Sequence, residues 1–268
     1  MASRRPPLFW IGCGLLAGFV LVAAAAPRLA PYDPRLPTGP PLSAATRDHL
    51  LGTNDLGQDV LSQTIFGARS SLAVAGAVTA ISTLLSWLVG LTAGFVRRAE
   101  APLLAAGDLL LALPSIPLYL LVLTLLGPSR LNVILVLALL SWPGFARIVR
   151  GIVLQTRSAP YVEASRALGA TPLHVARRHL LPATLAILPT KIVLTVRFAV
   201  FAEATLAFLG LAASDGISWG LMLSWAFNDP LLFARPVWPW LVLPPTLAIA
   251  ALVLATVWAN PVAVGGRL

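Results

Sequence analysis

Reactive and metal-binding side chains are scarce in this 268-residue chain: it has one cysteine, Cys13, three histidines and a single lysine, Lys191. One cysteine excludes an internal disulfide and a clustered-thiol metal centre, which leaves packing as the expected role of Cys13. His49, His174 and His179 form no HExxH pattern, no serine nucleophile elbow is expected, and an intramembrane enzyme has no catalytic constellation to draw on. Lys191 follows Pro189 and Thr190, which rules out the GxxxxGK[ST] phosphate loop. If the chain moves a solute with ATP, another subunit must bind the nucleotide. No cofactor and no metal site are expected on the chain itself.

Charge is equally sparse. Only 11% of residues are charged, against about 25% in soluble domains, while 58% are hydrophobic and the mean hydropathy is +0.86. This is the composition of an all-α protein that crosses a membrane several times. A bilayer core of about 30 Å needs roughly 20 mostly apolar helical residues. Six stretches qualify: 8–26, 71–96, 101–126, 131–149, 183–211 and 237–260. Pro114, Pro117, Pro143, Pro189, Pro244 and Pro245 fall within or at the ends of these spans, where neighbouring helices can satisfy the freed carbonyls. The chain then divides into an N-terminal helix with a proline-rich external segment (1–70), a five-helix core (71–260) and a short tail (261–268). Gly14 with Gly18, and Gly90 with Gly94, make two GxxxG pairs that could admit close helix contact or reflect nothing more than glycine's frequency in membrane helices.

The net charge of +9 and a pI near 11.3 would suggest a nucleic-acid partner if the cations shared one exposed face. They do not. One set of loops (1–7, 97–100, 147–182, 261–268) holds 11 Arg in 55 residues and the other (27–70, 127–130, 212–236) holds 6 in 73, so the positive-inside rule puts the first set and both termini in the cytoplasm. Inside loops balance 11 Arg against Glu100 and Glu163, whereas outside loops match 6 Arg with 6 Asp. The excess is a topology signal. Arg4, Arg5 and the run Ala23 to Ala26 also describe a cleavable signal peptide, which N-terminal sequencing would separate from a retained first helix.

The loop 147–182 carries ordered signals. Pro160 suits a first helical turn, with Glu163 placed favourably for the helix dipole. Tyr161, Ala164, Ala167 and Leu168 then share one face. Gly169 suits the left-handed residue after a helix end. Thr171 and Pro172 read as N-cap and N1 of a second short helix ending before Pro182. The product is a helix, a glycine turn and a helix, with a small-residue face shaped for a groove in a partner.

The stretch EASRALGATPLHVARRHLLP, Glu163 to Pro182, resembles the EAA loop of ABC-importer permease subunits, with Ser165 where a third alanine is common. DHLLGTNDLGQDVLSQTIFGARSSL (Asp48 to Leu72), LNVILVLALLSWPGFARIVRG (Leu131 to Gly151), and EATLAFLGL (Glu203 to Leu211) with the following SWGLML resemble the C-type permease of dipeptide, oligopeptide and nickel importers. The resemblance implies a type I importer fold of six transmembrane helices in a bacterial inner membrane. It implies a second homologous permease, two cytoplasmic ATPases using ATP and Mg, and an extracytoplasmic solute-binding protein, besides the surrounding lipid; no nucleic acid is involved. Glu163, Ala164 and Gly169 are the matched coupling positions. The family usually continues beyond its last span with an acidic and basic tail, whereas this chain reads NPVAVGGRL. The cargo expected from the resemblance is a di- or oligopeptide, or else nickel or another small solute. A self-sufficient secondary transporter or channel is the rival from another class, although no inverted repeat is evident.

Asp108, Lys191, Arg197 and Glu203 lie within the spans. Facing lipid would cost about 2.5–3.5 kcal/mol each for Asp, Lys and Arg, so these groups are expected either to pair between helices or to line the translocation path, with an interfacial position also open to Asp108 and Lys191. Arg197 and Glu203 are six residues apart, nearly on opposite helix faces. Outside the membrane, Pro27 to Pro41 has six prolines in fifteen residues and is expected to be extended rather than packed. Asn54, Asp55 and Asp59 in NDLGQD are expected at a membrane-surface lip meeting a partner; a cation site there lacks the EF-hand pattern.

Overall fold

The computed structural model describes residues 7–211 and 216–260; Arg4, Arg5 and the 261–268 tail lie outside the described residues. Among the described residues the regular structure is helical, apart from one bridge between Thr53 and Asp59. The order is α1 (Pro7–Leu29), α2 (Val60–Phe95), α3 (Arg97–Ala112), α4 (Ser115–Leu126), α5 (Arg130–Leu140), α6 (Pro143–Arg157), α7 (Pro160–Ala167), α8 (Pro172–Val175), a π-helical turn (Ala176–Leu180), α9 (Leu181–Leu185), α10 (Leu188–Leu206), a second π-helical turn (Ala207–Leu211), α11 (Trp219–Phe227) and α12 (Trp238–Trp258).

Among the described residues five helical runs are long and apolar enough to cross a membrane: Pro7–Leu29, Val60–Phe95, Arg130–Arg157, Leu188–Leu211 and Trp238–Trp258. The third expected span departs from a simple helix. It is a pair, α3 and α4, bent by 95°, and six spans result when that pair counts as one. The cause is local. Leu113, just before Pro114, is extended at φ −91°, ψ 139°, because the proline ring disfavours a helical conformation in the preceding residue.

α2 starts at Val60 rather than near Ser71. Its N-cap is Asp59, whose Oδ2 accepts from Ser62 N at 2.7 Å. At 36 residues it is about 54 Å long, so it outreaches a hydrocarbon layer of about 30 Å. The proline-rich stretch also differs from the expectation. Pro27 lies inside α1, and the chain beyond it packs against the 52–63 segment. Thr38 N and Gly39 N donate to Gly57 O at 2.8 and 3.1 Å, and Gln58 and Gln63 side chains donate to Arg35 O and Pro34 O. Prolines cannot donate, but their carbonyls accept. Gly57 holds φ +74° at this seam, and a Cβ there would stand 2.3 Å from Gly39 O.

The main core joins α1, α2, α4, α5, α10, α11 and α12 around Leu123, Leu137, Leu206, Trp219 and Leu252. Trp219 is the largest fully buried side chain, and its indole donates to Thr64 O at 2.9 Å. Ala26 is fully buried in α1, and Gly12 seats against the backbone of Trp258 and Ala259, so the first helix is part of the packed bundle. A second, smaller core of Val153, Val162, Val175 and Leu180 lies under the α6–α9 region, with Leu91 of α2 packed against it.

The two GxxxG pairs part company. Gly14 and Gly18 have open space beside them, whereas a Cβ on Gly90 would meet Ala146 O at 2.5 Å and one on Gly94 would meet Val153 Cβ at 2.7 Å. α2 and α6 therefore touch through glycine. Gly90→Ala is expected to destabilise the protein by about 1–3 kcal/mol and lower its melting temperature in detergent, while Gly14→Ala leaves the melting temperature unchanged.

Candidate functional site

The segment from α6 to α10 is built as the sequence suggests, with one change. α7 opens with Pro160 and carries Glu163 in its first turn. Its buried anchor is Val162, which drops into the second core, while Tyr161, Glu163, Ala164, Ala167 and Leu168 are exposed. Leu168 is 90% exposed, an unusual degree for a leucine at a helix end. Gly169 follows at φ +88°, and Gly169 N and Ala170 N donate back to Arg166 O and Ser165 O at 2.9 and 3.1 Å, closing α7 with a left-handed glycine. Thr171 Oγ1 caps α8 by accepting from His174 N at 3.3 Å. The rings of Tyr161, His179 and His174 then line up with centroid spacings of 5.5 and 6.4 Å.

The second helix does not stop before Pro182. Leu181 N donates to Ala176 O, a wide π turn that lets Pro182 occupy the first turn of α9, where its missing N–H costs nothing. Ala186 and Ile187 keep right-handed helical dihedrals. The backbone therefore stays helical from α8 through α10. Trp87 Nε1 of α2 donates to the buried Thr184 Oγ1 at 3.1 Å, fastening this run to the membrane helices. No sequence pattern pointed to that bond.

The four charges within the spans have separate environments. Asp108 accepts from Arg147, and both side chains are about half exposed. One turn further along α6, Arg150 binds Glu100, with Nε at 3.0 Å. These two pairs tie α3 to α6. Lys191 is 7% exposed and its Nζ lies 5.1 Å from the centroid of the Phe145 ring, a cation–π contact. Glu203 is buried, accepts from Ser71 Oγ at 3.3 Å, and is also hydrogen-bonded by Ser218 with the Arg130 guanidinium nearby. Arg130 in turn donates to Ser70 Oγ at 3.2 Å, and the group borders a cavity of about 20 Å³. Interhelical pairing thus describes Asp108 and Glu203, and ring packing describes Lys191. Arg197 is the exception: it is exposed on α10.

The letters GISWG, Gly216 to Gly220, do spell GxSxG, contrary to the absence expected. They do not form a nucleophile elbow, which needs a strand–turn–helix setting and a base. Ser218 instead caps α11 by accepting from Leu221 N at 3.3 Å and serves Glu203.

On the other side of the bundle, the NDLGQD residues are mostly structural rather than a lip. Asn54 is 6% and Asp59 1% exposed. Asn54 Oδ1 accepts from Leu56 N and Gln58 N at 3.0 and 2.9 Å, and Asp59 Oδ1 lies 3.0 Å from His49 Nδ1. Of the polar residues in this stretch Asp55 is the exposed one. It borders an open pocket of about 500 Å³ with Leu56, Met222, Trp225, Asp229 and Arg235. No cluster of three metal-ligating side chains occurs among the described residues.

Residues 82–263, which include the glycine seam and all of α3 to α12, match the family of binding-protein-dependent transport system inner membrane components. The chain belongs to that family. It is 36% identical over 253 residues to the di/tripeptide transport system permease protein DppC of Pseudomonas aeruginosa, covering 90% of this chain and 82% of the relative. It is also 38% identical over 177 residues to the dipeptide transport system permease protein DppC of Bacillus subtilis, covering 65% of this chain and 55% of that relative. As a membrane component of a binding-protein-dependent transporter, this permease subunit needs a fixed helical frame, and the Glu203 cluster crosses three of its elements. Glu203→Ala leaves the Ser71 and Ser218 hydroxyls without their acceptor, a loss on the order of 1–3 kcal/mol. The melting temperature is expected to fall clearly more for Glu203→Ala than for Asp108→Ala, whose pair is half exposed.

Proposed function

We propose that the chain is one of two homologous permease subunits of an ATP-driven importer of di- or oligopeptides. The permeases carry the path, two cytoplasmic ATPases supply the power stroke with ATP and Mg, and an extracytoplasmic solute-binding protein delivers the cargo. Both termini face the cytoplasm, in agreement with the arginine distribution and the positive-inside rule. The peptide class rests on the names of the relatives together with the motifs in this chain.

The observation that carries the mechanism is the exposed ridge of α7. Tyr161, Ala164, Ala167 and Leu168 are exposed while Val162 is held in the second core. A leucine with so much exposed surface beside two alanines, on a segment rigidly packed from beneath, suits insertion into a cleft of the ATPase. Closure of the ATPase pair would then push the ridge. The push passes through Val162, Val153 and Leu91 to α6 and α2, and along the helical run from α8 into α10, so that the membrane helices alternate between outward and inward access.

Gly169 is the place to break this link without harming the bundle. Its φ of +88° disfavours any β-branched residue, yet nothing lies within 4 Å of a Cβ there, so the strain stays in the turn. In Gly169→Val, assembly and membrane insertion are expected to persist. Uptake of a labelled peptide by the reconstituted complex falls at least tenfold while ATP hydrolysis loses its dependence on cargo-loaded binding protein. Uptake equal to the parent protein's would contradict the coupling role.

A further inference from the structure

Arg197 has no role in the frame described so far. It lies nine residues from Leu188 and fourteen from Leu211, about 13 and 21 Å along the helix, and so near the middle of a layer about 30 Å thick. It is exposed, in one stripe with Leu194 and Phe201. Among the described residues it makes no hydrogen bond or ion pair. The other three charges expected within the spans are engaged: Asp108 by Arg147, Lys191 by the Phe145 ring, Glu203 by serines and the Arg130 charge.

A guanidinium at that depth needs either a protein counter-charge or water. The face around the arginine offers Leu194, Phe201 and Phe208 but no carboxylate. This chain therefore supplies no fixed anion there, which leaves a mobile one. Free-acid peptides share one anionic group whatever their sequence, the C-terminal carboxylate, and its two oxygens match the arginine fork.

We propose that Arg197 faces the translocation path and binds the C-terminal carboxylate of the peptide in transit. The cargo half of this rests on the peptide reading above; the path half does not. A single charge-assisted contact suits a transport site, because it orients the peptide without holding it against release. The buried Lys191 adds positive potential toward the Leu188 end of the same helix.

The test uses the assembled transporter in proteoliposomes, with Cys13→Ser and Arg197→Cys in this subunit. The introduced thiol is expected to react with a charged, membrane-impermeant methanethiosulfonate in at least one nucleotide state. Uptake of a free-acid tripeptide falls at least tenfold before modification. It recovers when 2-aminoethyl methanethiosulfonate restores a cation and stays low with the neutral methyl reagent. Arg197→Lys, which keeps the charge but not the fork, retains transport with a raised KM for the peptide. A thiol that stays unreactive in every nucleotide state would place Arg197 in a sealed protein interface and overturn the proposal, as would unimpaired uptake in Arg197→Cys. Should Arg197→Cys fail to assemble, Arg197→Gln decides by the same uptake criterion, with unimpaired uptake again overturning the proposal. If the parent transporter carries no peptide at all, the peptide reading fails and the carboxylate assignment with it, while thiol reactivity still reports separately on the path.

Discussion

The contact of α2 with α6 through Gly90 and Gly94 is the constraint on which the rest depends. With no side chain on either glycine, the α2 backbone comes within reach of Ala146 O, Val149 and Val153. Val153 then does two things. It closes the seam on one side and joins Val162, Val175 and Leu180 on the other. The segment after α6 is thus carried on the same packing that holds two membrane helices together, and it cannot shift without loading that seam. The bond from Trp87 to Thr184 repeats the attachment a few residues on.

The second organising fact is that three of the four charges within the spans, Asp108, Lys191 and Glu203, are engaged by neighbouring side chains. Arg147 and Arg150, one turn apart on α6, bind Asp108 and Glu100 on α3, so the helix before the 95° bend is tied down by ions where its apolar burial is slight. Glu203 draws α2, α10 and the start of α11 together. Among the four charges within the spans Arg197 alone stands on an exposed helix face without such a neighbour, and its depth in the membrane is what gives it a meaning.

Much of this was legible from the residues. Hydrophobic runs located the spans, because a bilayer imposes a length that composition reveals. Pro160, Gly169, Thr171 and Pro172 marked the helix–turn–helix because each acts on its own backbone: a fixed φ, a left-handed φ, a hydroxyl cap. What stayed hidden depends on geometry between distant parts. Six prolines read as an extended stretch, yet the carbonyls of Arg35 and Pro34 within it accept from Gln58 and Gln63. Asp59 read as a surface carboxylate, yet it caps a helix and meets His49. Pro114 read as one of several tolerated prolines, and only the course of α3 and α4 shows that it turns the chain. GISWG carries a catalytic spelling with a structural job, since Ser218 spends its hydroxyl on a helix cap and a buried carboxylate.

The central claim is that the α7 ridge meets a cytoplasmic ATPase and passes its closure to the membrane through the small core beneath. A photoreactive amino acid in place of Leu168, in the assembled transporter in native membranes, tests it most directly. The account predicts an ATP-sensitive crosslink to the nucleotide-binding subunit. Crosslinks to lipid or to the second permease alone, in every nucleotide state, would contradict it.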